Sequence, residues 1–140
     1  MKLTDDEIFL QSNSIISDEE FEHLFNSTYN LRYIQKQFSL IEEYKYYFIT
    51  PYETKEPTKI YINKTIRDNF NKFFETFLEL FGGCEWGIGR NDNFFEIDYN
   101  KKQNAPNEFQ KDMDKIKNLS FECSSNYKKY RKIIKQELGI

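Results

Sequence analysis

IYINKTIRDNFNKFFETFLELFGGCEWGIGRNDNFFEIDY, residues 60–99, is the stretch of sequence that decides the fold. Apolar residues recur in it at i, i+3, i+4 and i+7, which is typical of the buried face of a helix, and we predict a central helix over about 65–81. Gly82 and Gly83 then end the helix, since glycine accepts the left-handed conformation common at C-caps. The apolar positions are Ile66, Phe70, Phe73, Phe74, Phe77, Leu78, Leu80 and Phe81.

So many phenylalanines on one helix require a large partner surface, and we expect the flanking strands to supply it. Two alternating segments with a turn at 90–93 predict a β-hairpin over about 84–100. The face toward the helix would carry Trp86, Ile88, Phe95, Ile97 and Tyr99.

Upstream, β-forming residues at 44–50 and 58–63, separated by a polar loop, predict a second hairpin over about 44–63. Three helices are expected before it. Capping boxes begin the first two, and a helical apolar period favours the third, although its aromatic neighbours also allow a strand. The predicted spans are 4–12, 18–27 and 30–43.

Downstream, Pro106 is typical of a first helical turn, and a helix is also expected over 124–138. Residues 119–123 fit either a short strand or a helix. The sequence therefore predicts one α+β domain over residues 1–140, with a small, mostly antiparallel sheet packed against the central aromatic helix.

Charge divides the chain unevenly around its net value of −3. Residues 1–60 carry 11 acids and 6 bases, residues 61–100 carry 7 and 4, and residues 101–140 carry 5 and 10. No signal-peptide pattern or apolar run of membrane-spanning length is present, and the two cysteines do not form a disulfide framework. We therefore expect a cytoplasmic protein.

The residue types that most catalytic and metal sites need are scarce. His23 is the single histidine, and Cys84 and Cys123 are far from it in sequence, so neither a Cys/His mechanism nor a zinc site is indicated. The loop 91–98 lacks the ligand spacing of a calcium site, and the glycines do not precede a helix as a phosphate loop requires. We expect no metal, no cofactor and no enzymatic activity.

Two charged faces are the remaining candidates for function. Gly87 and Gly89 would leave the outer face of the 84–100 hairpin low and open, with acids around it; such a face is a solvated surface, a protein-binding surface or an acidic catalytic site. The basic end of the chain, with Lys128, Lys129, Arg131, Lys132 and Lys135, could contact nucleic acid or be a solvated face.

The function predicted from these features is a small protein-binding module, an inhibitor or antidote of the immunity type that caps a basic toxin or nucleic-acid-processing enzyme. Acidic surfaces speed the capture of cationic partners. A nucleic-acid-associated domain or a small enzyme with an acidic site is the alternative. The predicted interface is Glu85, Asp92, Phe94, Glu96 and Asp98, with Asp18, Glu19 and Glu22 as a second acidic segment.

Overall fold

The computed structural model of the chain describes residues 2–49, 59–89 and 91–140. Helices dominate these residues, and three short strands form one sheet. The elements in chain order are α1 (Asp5–Ile15), α2 (Asp18–Tyr29), β1 (Arg32–Ile34), α3 (Gln35–Phe48), α4 (Lys64–Gly82), β2 (Gly87–Ile88), β3 (Phe94–Glu96), α5 (Lys101–Asn104) and α6 (Pro106–Leu138).

The two capping boxes predicted near the N-terminus are confirmed. The Thr4 side chain accepts from the backbone of Glu7 and begins α1, and Ser17 and Glu20 make the same reciprocal pair at the start of α2. Each box satisfies backbone donors that have no partner inside the helix. Both helices run two to three residues beyond their predicted ends, and α1 is preceded by Thr4 as its cap.

The central helix is α4, and its predicted span is confirmed to within one residue at each end. The Asn63 side chain accepts from the Ile66 backbone and begins the helix. At the other end Gly83 is the C-cap, but with φ −101° it does not use the left-handed conformation that we predicted. A Cβ at Gly83 would lie 3.0 Å from the Glu79 carbonyl oxygen, so a larger residue would fit there only with a small shift of the backbone.

The large partner surface of α4 is α6 rather than the flanking strands. The two helices are antiparallel, because Asn63 contacts Glu137 at one end and Lys115 contacts Gly83 at the other. The 119–123 segment, left open above, is helical and lies inside α6, a single helix of 33 residues. Its buried positions Leu119, Ser120 and Cys123 have helical spacing, whereas the alternation that suggested a strand places Phe121 in solvent.

The predicted hairpin over 44–63 is wrong. Residues 44–48 continue α3, which buries Ile41 and Tyr44 on a helical period, so packing against α4 overrides the β propensity of these aromatic residues. Residues 59–63 form no strand, and Ile62 and Asn63 instead donate their backbone N–H groups to the Asp5 carboxylate. Residues 50–58 of the predicted hairpin lie outside the described residues.

The sheet contains the predicted 84–100 hairpin, confirmed as β2 and β3, and one further strand, β1, which lies in the 30–43 segment where a helix was favoured over a strand. Its order is β1-β3-β2, with both pairs antiparallel. β1 occupies the start of the span where a helix over 30–43 was expected, so that helix begins only at Gln35. Leu31, with φ 66°, turns the chain from α2 into β1.

The face predicted to pack toward α4 is only partly correct. Trp86 and Phe95 are half-buried and Ile97 is buried, but Ile88 is 67% exposed and Tyr99 49% exposed. The two strands are short, so Tyr99 lies beyond the end of β3. Residues predicted as core therefore stand at the surface beside the acidic positions.

The core is a single aromatic cluster between α2, α3, α4 and α6. Phe73 of α4 is at its centre and is fully buried. Its ring centroid lies 5.6 Å from that of Phe21 in α2 and 5.1 Å from that of Tyr127 in α6, and it stacks on Tyr130 at 5.8 Å. One side chain thus joins three helices through ring contacts.

We expect Phe73→Ala to lower the free energy of unfolding by about 3–5 kcal/mol, because it removes buried ring area and leaves a cavity among rigid neighbours. Phe121→Ala is the matched control: its ring is 69% exposed, and the change should stay within about 0.5 kcal/mol. Urea unfolding followed by circular dichroism measures both. Equal effects of the two substitutions would contradict the packing described here.

Buried phenols form the polar part of this core. The hydroxyl groups of Tyr61 and Tyr130 hydrogen-bond to each other at 2.5 Å. Burial raises the pKa of Tyr44, Tyr61 and Tyr130 above the ordinary value of 10.0, and it raises the pKa of Cys123 to about 12. These groups are therefore held neutral in the folded protein.

Stability should consequently fall at alkaline pH. Since the folded-state pKa of each buried tyrosine lies above its unfolded value, the stabilisation is complete below about pH 10 and is lost as pH rises from there toward the folded pKa. In that window each such tyrosine lowers the free energy of unfolding by up to about 1.4 kcal/mol per pH unit. Urea unfolding between about pH 8 and pH 11, with phenolate absorbance as a second signal, tests this; an unfolding free energy that stays constant across the range contradicts it.

Candidate interaction surfaces

The outer end of the hairpin forms an open groove of about 680 Å³. Three of the predicted interface residues, Phe94, Glu96 and Asp98, line it together. Glu96 is half-buried on β3, and Asp98 is exposed just beyond it, with one carboxylate oxygen accepting from the Asn100 backbone at 3.0 Å. We call this surface the hairpin groove; its lining is Gly87, Ile88, Phe94, Glu96, Ile97, Asp98, Tyr99 and Asn100.

The hairpin groove combines acidic groups with exposed apolar walls. Ile88 on the edge strand β2 and Tyr99 beyond β3 are the two walls, and both are about half exposed or more. Gly89 donates its backbone N–H to Phe94, and the next pair along the strands is Ile88 with Phe95. In an antiparallel pair, such a position is not hydrogen-bonded to the partner strand, so the N–H and C=O groups of Ile88 point away from the sheet. An open strand edge of this kind can pair with another chain.

Glu85 does not belong to the hairpin groove, contrary to the prediction. It precedes β2, and its carboxylate pairs with the ammonium group of Lys101 at 3.0 Å. Lys101 also pairs with Asp112 of α6 at 3.0 Å, and the hydrogen bonds that its ammonium group donates to these two carboxylates raise its pKa. This bridge joins α5 to α6 and to the segment before β2, so we assign Glu85 a structural role.

Arg32 is a functional-surface residue that the sequence reasoning missed. On β1 it lies directly opposite Glu96, and its guanidinium group is 4.6 Å from the centroid of the Phe94 ring. This sheet face is therefore mixed in charge, because the basic side chain of Arg32 on β1 stands across from the acidic side chain of Glu96 on β3. The omission follows from the helix predicted over 30–43, which concealed β1.

Asp92 lies in the turn between β2 and β3. Its φ of 55° is in the left-handed region, which aspartate tolerates better than most residues, and its backbone donates to the Gly89 carbonyl at 3.0 Å. Its side chain is exposed at the tip of the hairpin but does not line the hairpin groove.

We predicted that Gly89 would leave an open surface. This prediction is wrong, because the Phe94 ring covers Gly89. A Cβ on Gly89 would lie 2.4 Å from the nearest ring carbon of Phe94. Residues opposite each other on a hairpin share a face, and Gly89 donates its backbone N–H to Phe94 across the turn. The glycine therefore allows Phe94 to lie flat on the strand, and the phenylalanine stands between Gly89 and Arg32.

We expect Gly89→Ala to displace the Phe94 ring and to lower the free energy of unfolding by about 1–3 kcal/mol through overpacking. In a Phe94→Ala background the same substitution should cost much less, since the obstructing ring is gone. Gly82→Ala serves as the control, because a Cβ there meets no atom within 4 Å. Additive effects of Gly89→Ala and Phe94→Ala in the double mutant would rule out the proposed contact.

The second acidic segment, on α2, is separate from the hairpin groove. Asp18 is held in place by the Tyr127 hydroxyl and by Arg131, whose Nε lies 3.0 Å from Oδ2, so it fastens α2 to α6. Glu19 and Glu22 are exposed. This segment begins α2, whereas the other end of that helix leads into β1, so the two acidic regions are not brought together.

The basic residues of α6 divide into two groups. Lys128, Lys129, Lys132 and Lys135 are exposed. Arg131 is not free to bind a partner, because it pairs with Asp18 and its Nη2 donates to the Ile140 carbonyl at 2.6 Å. Its guanidinium carbon also lies 4.5 Å from the Phe9 ring centroid.

The remaining candidates for a catalytic or metal-binding site, His23, Cys84 and Cys123, occupy ordinary structural positions. His23 is exposed and lies 3.9 Å from Glu19 one turn away. Cys84 and Cys123 are free thiols, and burial raises the pKa of both, which disfavours the reactive thiolate. Within residues 2–49, 59–89 and 91–140, no group of three or more His, Cys, Asp or Glu side chains is arranged to hold a metal ion.

Comparison with known protein families, with curated proteins and with solved structures found no match to this chain. Among the helices that the structure describes, none is both long enough and apolar enough to cross a membrane. The surfaces themselves are therefore the basis for any functional assignment.

Proposed function

We propose that the protein is a binding module for another protein, an inhibitor or antidote of the immunity type that acts in the cytoplasm and caps a basic toxin or nucleic-acid-processing enzyme through the hairpin groove. The observation that carries the proposal is the grouping of Glu96 and Asp98 with the exposed side chains of Ile88 and Tyr99 around one concavity. Acidic groups beside apolar anchors are the combination that protein interfaces use.

The geometry supports a division of roles within the hairpin groove. Tyr99 offers a rigid, half-exposed aromatic anchor with few rotatable bonds, and Ile88 offers an apolar contact beside the open edge of β2. Asp98 is exposed and supplies steering charge toward a cationic partner. Glu96 is half-buried and opposite Arg32, so it would contact a partner cation only at the β2 side.

A stable interface covers about 800 Å² on each partner, which is more than one small groove supplies. The hairpin tip with Asp92 adjoins the groove on one side and Asn100 lies on the other, and both are exposed. The complete interface would therefore centre on the hairpin groove and extend over the tip, whereas Glu19 and Glu22 on α2 would lie outside it.

The proposal is tested by affinity capture from extracts of the native cell, with wild-type protein and with a Glu96→Lys, Asp98→Lys double variant. We expect a partner rich in lysine and arginine to be retained by wild type and lost with the variant, with affinity reduced at least about tenfold and association slowed, since both effects follow from charge reversal at an interface. The matched control reverses two exposed acids on α3, Glu42→Lys and Glu43→Lys, and should retain the partner.

Three outcomes would contradict the proposal. They are capture of no stable protein partner by wild type, equal binding of the captured partner to both double variants, and a captured partner that is acidic. Circular dichroism and urea unfolding of both variants are needed beside the capture, because Glu96 is half-buried and its reversal must be shown to leave the fold intact.

A further inference from the structure

The exposed lysines of α6 lie on one face of the helix. Lys128, Lys132 and Lys135 are separated by four and three residues, which is the spacing of neighbours along a helix surface, and Lys129 stands beside them. All four are exposed, and they extend over about 10 Å of helix length. We call Lys128, Lys129, Lys132 and Lys135 the lysine stripe.

The ammonium groups of the lysine stripe form no ion pair within the described residues, although Lys128 lines one cavity with Asp18 and Glu22. In contrast, Lys45, Lys64 and Lys101 each contact a carboxylate. The neighbouring Arg131 takes the nearby carboxylate of Asp18 for itself. The stripe is therefore a local surplus of positive charge on a chain whose net charge is −3.

An aromatic ring accompanies the lysines on the same face. Phe121 precedes Lys128 by seven residues, two helical turns, and at 69% it is the most exposed large hydrophobic side chain of the described residues. Its ring contacts no other aromatic ring in that part of the chain, although the core is rich in such contacts. Packing within the protein thus does not account for Phe121.

The acidic hairpin groove does not cancel this charge, because it lies at the other end of α6. Tyr99 of the groove contacts Phe109 near the start of α6, with ring centroids 5.6 Å apart. Lys132 follows Phe109 by about 35 Å of helix. That separation is about four times the Debye length at physiological salt, so the two surfaces act independently.

We infer that the lysine stripe and Phe121 form a binding site for single-stranded nucleic acid, independent of the hairpin groove. The ammonium groups contact successive phosphates, and the Phe121 ring stacks on a base. Stacking of bases on aromatic side chains beside a basic track is how proteins bind single strands without reading their sequence. A duplex keeps its bases stacked inside and offers none to Phe121. A helix that binds a membrane surface needs a broad apolar face, whereas the polar residues Ser125 and Gln136 flank the lysines here.

The test is fluorescence anisotropy with labelled oligo-dT and oligo-rU, a duplex of equal length, and anionic lipid vesicles as a separate arm. We expect the full chain to bind both single strands, with a slope of log affinity against log salt of about −2.8 for four phosphate contacts. Replacing Lys128→Gln and Lys132→Gln should weaken binding at least about tenfold and make the slope less negative by about 1.4.

Matched variants separate the site from general charge. Lys102→Gln with Lys111→Gln removes two exposed lysines from α5 and the start of α6 and should leave the affinity within about twofold. Phe121→Ala should weaken single-strand binding about tenfold with the salt slope unchanged, while Phe121→Trp should preserve it, because stacking and not charge is altered.

The inference is overturned if wild type binds no oligonucleotide at low salt, or if both lysine pairs reduce affinity equally. It is also overturned if the duplex binds as tightly as the single strands with no effect of Phe121→Ala, or if only the vesicles are bound. None of these results depends on a protein partner for the hairpin groove, so the two proposals can fail separately.

Discussion

The packing of α4 against α6 is the interaction on which the rest of the structure depends. The phenylalanine face of α4 is too large for a three-stranded sheet to cover, and the long helix α6 covers it instead. α6 also receives α2 on a neighbouring side, where the hydroxyl of Ser120 donates to that of Thr28 inside the core at 2.9 Å. With these helices in place, α3 closes the cluster through Tyr44, and the sheet is added at one end.

The length of α6 separates the acidic hairpin groove from the lysine stripe. The hairpin groove is anchored near the beginning of α6 through Tyr99, and the lysine stripe is in its last third. A compact globule of this size would bring an acidic and a basic patch within mutual attraction. A rigid helix of 33 residues keeps them apart, and both remain exposed to partners. The residues that do join opposite charges, Lys101 with Asp112 and Arg131 with Asp18, hold elements together and are not available for binding.

The sequence predicts well where a long local pattern coincides with the packing. α4 shows its period over many positions and has its cap and its glycines at the ends, so its span follows from local rules alone. β1 could not be found this way: Leu31, Ile34, Phe38 and Ile41 continue a helical period, and the partner that makes 32–34 a strand is β3, about sixty residues later. For the same reason, Arg32 was not recognised as a residue of the sheet surface. The contact of Phe94 with Gly89, in contrast, was accessible, since the turn position alone places the two residues opposite each other. The pairing of Glu85 with Lys101 depends on how α5 docks, and no local pattern contains that information.

The position of α6 after its packing partners in chain order has a consequence for how the protein is made. The partners that α6 covers are distant in sequence, as the contact between Asp18 and Arg131 shows, so this part of the core forms through long-range contacts. While the ribosome is still adding α6, Phe21, Phe70 and Phe73 have been synthesised but the helix that covers them has not. At typical elongation rates this interval lasts on the order of seconds. A nascent chain that lacks α6 therefore exposes aromatic side chains that α6 buries in the folded protein.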